Sequence, residues 1–226
     1  MSRRYERNMN TLSPEENKKL KEFRVFVAGC GGLGGFIIEE LGRLGIGHIT
    51  AADGDVFDET NLNRQLLATM ESLGKSKAKA AQTRMQDINP EITVEPVSTM
   101  ICDENCSRLI KGHDLVIDAL DNIGSRRILE RNCELEGIPM VHGAIAGWYG
   151  QVAAIFPGDR TLEKLYPYDS DKGIETELGN PSFTPALIAS VEVAEGLKIL
   201  LGRGNVLRNK LLCINLLDHE YEILDI

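Results

Sequence analysis

Residues that could do chemistry with a nucleotide fall into separate clusters along the chain. The first is a glycine-rich turn, Gly29-Cys30-Gly31-Gly32-Leu33-Gly34-Gly35, in which Gly29, Gly31 and Gly34 fit G-x-G-x-x-G. Such a turn lets a phosphate approach backbone N–H groups at a helix N-terminus. Asp53 stands where an acid accepts hydrogen bonds from ribose hydroxyls. Together these residues predict an adenine nucleotide; close strand–helix packing is the structural alternative for the turn. The second cluster is cationic, with Arg64 in DGDVFDETNLNRQLL and Lys77 in Gly74-Lys75-Ser76-Lys77. Cations beside a phosphate-binding turn can clamp the β- and γ-phosphates and stabilise a departing pyrophosphate. A dinucleotide such as NAD needs neither. The alternatives are an exposed helical lysine and a surface ion pair. The third cluster is DALDN, Asp118 to Asn122. Asp121 ends a strand at the edge where open α/β sheets bind ligands, and a carboxylate there suits Mg²⁺ with phosphate oxygens. Its alternative is an N-cap for the helix through Arg126. Asp118, nearer the strand interior, reads as a polar orienting group.

These clusters act together only if the fold brings them to one edge. Ser13-Pro14-Glu15-Glu16 is a capping box with proline at the first helical position. Arg24 to Gly29 predicts a buried strand, Gly34 to Leu44 a helix, and His48 to Asp53 a second strand. Lys75 to Ile88 predicts a helix stopped by Asn89-Pro90. ITVEPV, LVIDAL and MVHGAI predict strands, separated by helical stretches at Glu104 to Ile110 and Ser125 to Glu136. This alternation implies a parallel sheet with right-handed crossovers. QVAAIF predicts another strand; Pro157 to Ser182 is then polar and irregular, as functional or mobile loops are. Thr184-Pro185 opens an apolar helix to about Leu201, and KLLCINLL and EYEILDI predict an antiparallel pair. The expected fold class is α/β: a Rossmann-like doubly wound sheet, mostly parallel with antiparallel C-terminal strands. We expect one domain over 1–226, with a crossover loop at about 157–182.

Composition excludes other classes. The chain has 226 residues, 42% hydrophobic and 26% charged, which is ordinary for a globular protein. A formal net charge of -9 weighs against a general nucleic-acid or anionic-membrane binder. Five scattered cysteines are too few for a disulfide scaffold. No run is long enough to span a membrane, and the polar start is no secretory signal, so a cytoplasmic protein with reduced thiols is expected.

Taken together, the motifs resemble those of a known family. Gly29-Cys30-Gly31-Gly32-Leu33-Gly34, Asp53-Gly54-Asp55, Asn61 to Gln65, Gly74 to Lys77 and Asp118 to Asn122 occur in order, after an Arg4-Tyr5-Glu6-Arg7-Asn8 start. This is similar to the ThiF/MoeB/HesA family, bacterial relatives of ubiquitin-activating enzymes, over nearly the whole chain. The resemblance implies an adenylyltransferase that joins AMP to the C-terminal glycine carboxylate of a small ubiquitin-like sulfur carrier ending in Gly-Gly. Such carriers serve thiamin, molybdenum- or tungsten-cofactor synthesis. It implies ATP and Mg²⁺, with Gly31, Gly32 and Gly34 in the nucleotide turn and Asp53 on the ribose. Asp55 and Asn122 belong to the same binding motifs. Asn61, Arg64, Gln65 and Lys77 would face the phosphates, and Asp121 would hold Mg²⁺. Arg7 would reach the phosphates of the neighbouring subunit of a homodimer.

The chain departs from that pattern in its cysteines. Many relatives carry two C-x-x-C pairs for structural zinc; here Cys102 and Cys106 are spaced C-x₃-C with no second pair, so no zinc is expected. The crossover loop has no cysteine, and Cys30 and Cys133 read as buried small apolar residues. An adenylating enzyme that forms no thioester of its own is expected. Competing readings are a tRNA-modifying dehydratase of the same fold, an NAD-dependent oxidoreductase, and a non-catalytic carrier-binding scaffold.

Overall fold

The computed structural model describes residues 2–166, 173 and 175–226. Eight strands form one sheet in the order β3-β2-β1-β4-β5-β6-β7-β8. They are β1 (Arg24–Ala28), β2 (His48–Ala52), β3 (Thr93–Val97), β4 (Leu115–Asp118), β5 (Met140–Ala146), β6 (Tyr149–Ile155), β7 (Lys210–Asn215) and β8 (Glu220–Asp225). β1 to β5 pair in parallel, and β6, β7 and β8 are added antiparallel. The order reverses between β1 and β4, which makes the crevice beyond their carboxyl ends the expected ligand site of such a sheet.

The parallel strands are apolar on both faces because helices cover both. Val25, Val27, Leu115, Ile117 and Val141 pack against α2 (Gly32–Leu44), α3 (Lys77–Ile88) and α8 (Phe183–Leu201). Phe26, Ala28, Val116 and Met140 pack on the other side against α4 (Asp103–Ile110), α5 (Ile123–Glu136) and α6 (Thr161–Leu165). Of the remaining helices, α1 (Pro14–Leu20) carries the expected capping box, and α7 (Glu175–Leu178) precedes α8. Among the described residues no helix is long and apolar enough to cross a membrane.

Some boundaries differ from those expected. α2 begins at Gly32 rather than Gly34, because a glycine-rich segment has no side-chain signal to fix its first turn. α3 begins at Lys77, capped by the Ser76 hydroxyl, rather than at Lys75. The stretch expected to be an irregular loop contains α6 and α7; its residues 167–172 and 174 lie outside the described ones. α6 is a single turn whose Leu162 N–H is taken by Glu130 Oε1 at 2.9 Å, a partner remote in sequence. A 3-10 helix, Arg3–Asn8, precedes α1 unforeseen; its buried Tyr5 accepts from Asn89 Nδ2 at 2.8 Å.

Candidate active site

A cleft of about 820 Å³ opens beyond the carboxyl ends of β1, β2 and β4 and continues over β5 and β6 to β8. Its inner end is built by the glycine turn. Gly29 has φ +98°, and a Cβ there would lie 2.6 Å from the Ala119 carbonyl. A Cβ on Gly34 would lie 1.8 Å from the Gly29 carbonyl, so this glycine lets helix and strand close on each other. Gly34 does not line the cleft, whereas Gly31 and Gly32 do. Asp53 braces the turn: its Oδ2 accepts from Cys30 N–H at 2.8 Å and its Oδ1 from Asp55 N–H at 2.8 Å.

The cations converge on the same end. Lys77 is the first residue of α3 and only 7% exposed, yet its ammonium reaches the cleft, 3.1 Å from Asp55 Oδ2. The aliphatic part of Arg64 lies against Gly32, and its guanidinium donates to the Thr60 carbonyl at 3.0 Å. Gln65 is buried beside Gly31, with its carboxamide oxygen unpartnered. The cleft is also lined by Asp121, exposed, and by Asn122, whose side chain caps α5 by accepting from Ser125 N–H at 2.9 Å. The cap is therefore Asn122, and the Asp121 carboxylate remains available to a ligand.

Nine of the residues expected from sequence therefore line one cleft: Gly31, Gly32, Asp53, Asp55, Arg64, Gln65, Lys77, Asp121 and Asn122. Asn61 does not; its carboxamide oxygen accepts from Asp58 N–H at 3.0 Å and closes a 3-10 turn, Glu59–Asn61. Arg7 is outside as well. Its 3-10 helix is tied to the far end of α2, where Asn8 Nδ2 donates to the Leu44 carbonyl. With 13 residues α2 is about 20 Å long, so Arg7 lies well away from the glycine turn of its own chain.

Sequence reasoning missed a linked group: Arg126, Gln151 and Tyr166, which line the cleft, and His142, which is buried behind them. His142 and Asp118 are fully buried, with Nδ1 to Oδ2 at 2.7 Å. Burial pushes the His142 pKa down, against the pull of Asp118. Burial likewise pushes the Tyr166 phenol up. Only Asp118 carried a signal in the sequence, as an acid in a strand interior. The others come from α5, β5, β6 and the residue after α6, and no spacing announces them.

The thiols are equally informative. Cys30, Cys106 and Cys133 are buried, and burial raises each pKa, Cys106 to about 12. Cys213 on β7, by contrast, lines the cleft. Burial and the nearby Glu222 push its thiol up too, away from the thiolate form.

A family model described as the ThiF family matches residues 5–226. The chain belongs to the ThiF family. It is 33% identical over 224 residues to the SAMP-activating enzyme E1 of Haloferax volcanii, covering 97% of this chain and 83% of that protein. It is 34% identical to the sulfur carrier protein adenylyltransferase of Thermus thermophilus, covering 99% of this chain and 86% of that protein. Among solved structures, E. coli MccB with MccA-N7isoASN superposes with a TM-score of 0.84 at 22% identity, covering 99% of this chain and 71% of that one. E. coli tRNA N6-threonylcarbamoyladenosine dehydratase in complex with ATP gives 0.76 at 23% identity, covering 88% and 94%. These structural likenesses show the fold. The family membership and its named relatives make the chain an adenylyltransferase.

Proposed function

We propose that the protein adenylates the C-terminal glycine carboxylate of a small ubiquitin-like sulfur-carrier protein, consuming ATP and releasing pyrophosphate. The observation that carries this reading is the shape of the cleft. It joins the glycine turn, the two cations and Asp121 at one end to an open floor across β5, β6, β7 and β8 at the other. Four inter-strand steps from β4 to β8 span about 19 Å, the reach of about six extended residues. A protein tail fits that floor, and the small side chains of Ala144 and Ala146 leave room for it.

The chemistry needs no covalent enzyme group. A carboxylate oxygen of the carrier bonds to the α-phosphorus as the bond from that phosphorus to the bridging oxygen of pyrophosphate breaks. Asp53 and the glycine turn hold the nucleoside, while Arg64 and Lys77 neutralise charge gathering on the leaving pyrophosphate. No cluster of three or more metal-ligating side chains occurs among the described residues. Asp121 alone is consistent with Mg²⁺, which commonly completes its shell with phosphate oxygens and water and, when bound, neutralises phosphate charge. Arg7 joins a triphosphate only from a second copy, in a homodimer. The buried thiols and the unactivated Cys213 support transfer without an enzyme thioester. Carrier-dependent ATP–pyrophosphate exchange tests the reading: Asp121→Ala and Lys77→Ala should abolish it with the fold intact. Full activity in both would overturn the site.

A further inference from the structure

Leu120, the residue before Asp121, is gripped at both of its backbone polar groups. Its N–H donates to Asp118 Oδ1 at 3.1 Å. Its carbonyl accepts two bonds from Arg126, from Nε at 3.0 Å and Nη2 at 2.6 Å. Arg126 is buried and cannot hold this pose by charge alone; its Nε is 3.9 Å from Asp118. The remaining Nη1 donates to the Tyr166 hydroxyl at 3.2 Å. That hydroxyl also accepts from Gln151 Nε2 at 2.8 Å and lies 3.2 Å from His142 Nε2.

A phenol has one proton and two lone pairs. Gln151 and Arg126 occupy the lone pairs, so the Tyr166 proton points to His142 Nε2. That nitrogen must then be bare, and the imidazole proton sits on Nδ1, facing the Asp118 carboxylate. One assignment of protons satisfies every member. β5, β6, α5 and the residue following α6 are thereby joined at one oxygen, and β4 is tied in through Asp118 and His142.

We propose that Tyr166, His142 and Arg126 are positioning residues, which fix the Leu120–Asp121 peptide so that the Asp121 carboxylate is aimed before ligands arrive. This rests on the adenylation reading of the cleft. None of the three need touch the reacting atoms; they act through Leu120. Fixing a carboxylate in advance spares its reorganisation during the reaction.

Tyr166→Phe removes the hydroxyl alone and keeps the ring packed edge-on to His142. Nitrogen-15 NMR of the imidazole should show Nδ1 protonated in the wild type, with Tyr166→Phe shifting the Nε2 resonance and sparing Nδ1. The half-saturating Mg²⁺ concentration for ATP binding, read by calorimetry, should rise about fivefold or more. In exchange, kcat should fall about tenfold while KM for ATP stays within about twofold. Arg126→Lys keeps the charge without the fork and should act the same way. Unchanged Mg²⁺ dependence and unchanged kcat in folded Tyr166→Phe would overturn the proposal. A wild type silent in exchange with every carrier would instead remove the adenylation reading; the Mg²⁺ dependence of ATP binding would still decide the positioning role.

Discussion

Lys77 and Asp121 line one cleft, and neither is predetermined by its neighbours to do so. Lys77 is held at the start of α3 by the Ser76 cap and by its own N–H bonded to the Asp55 carbonyl at 3.1 Å. Asp121 is free because Asn122 takes the cap. An aspartate and an asparagine side by side are interchangeable as caps in sequence, so only the structure assigns the roles. The cysteines make a second residue-scale case. Cys213→Ser should leave exchange within about twofold, and no thiol-linked carrier should appear on denaturing gels of the wild type. A covalent adduct lost in that variant would show a thioester step. The sequence could exclude a loop cysteine but could not see that β7 carries a thiol into the cleft, because Cys213 reaches it only through pairing opposite Gln151.

Two contacts between elements show how the cleft is supported. The Gly34 Cα faces the Gly29 carbonyl so closely that any side chain collides with backbone. Gly34→Ala should therefore cost about 2 kcal/mol or more by forcing α2 off β1, read as a lowered denaturation midpoint. On the same sheet face, α8 presses the carboxyl of Glu192 onto Gly143 of β5, with both oxygens unpartnered. Burial, with Asp118 nearby, holds its pKa well above the ordinary carboxylate value, and Arg126 opposes this. Such a group is neutral in the fold but ionises in the unfolded chain. Its cost is absent below the ordinary carboxylate pKa and grows as pH rises toward the folded pKa. Glu192→Gln should raise the melting midpoint at pH 8 and leave it unchanged near pH 4; a gain equal at both would refute the buried neutral acid. Short apolar runs alternating with capped and stopped helical stretches made the strands and long helices legible. The single-turn α6 was not, because its cap comes from Glu130 on another helix.

At the scale of the whole molecule, the antiparallel strands extend the cleft beyond its glycine-turn end. Overall acidity does not tell where cations gather, since charge counts carry no position. Arg7 is the outlying residue: it lies at the far end of α2 from its own glycine turn, and only the proposed homodimer would bring it to a cleft. Mixing Arg7→Ala with Asp121→Ala should restore about a quarter of wild-type exchange, because a mixed dimer rebuilds one site of two. No recovery above either variant would place Arg7 outside the reaction. The order of the motifs made the family legible, and the register of β5 to β8 supplied what they lacked, the strands on which the proposed carrier tail would lie. The most direct measurement is ATP–pyrophosphate exchange by the purified protein with and without a ubiquitin-like carrier ending in Gly-Gly. Exchange that requires both the carrier's terminal carboxylate and Asp121 is the predicted result. Exchange indifferent to the carrier, or surviving loss of Asp121, would contradict it.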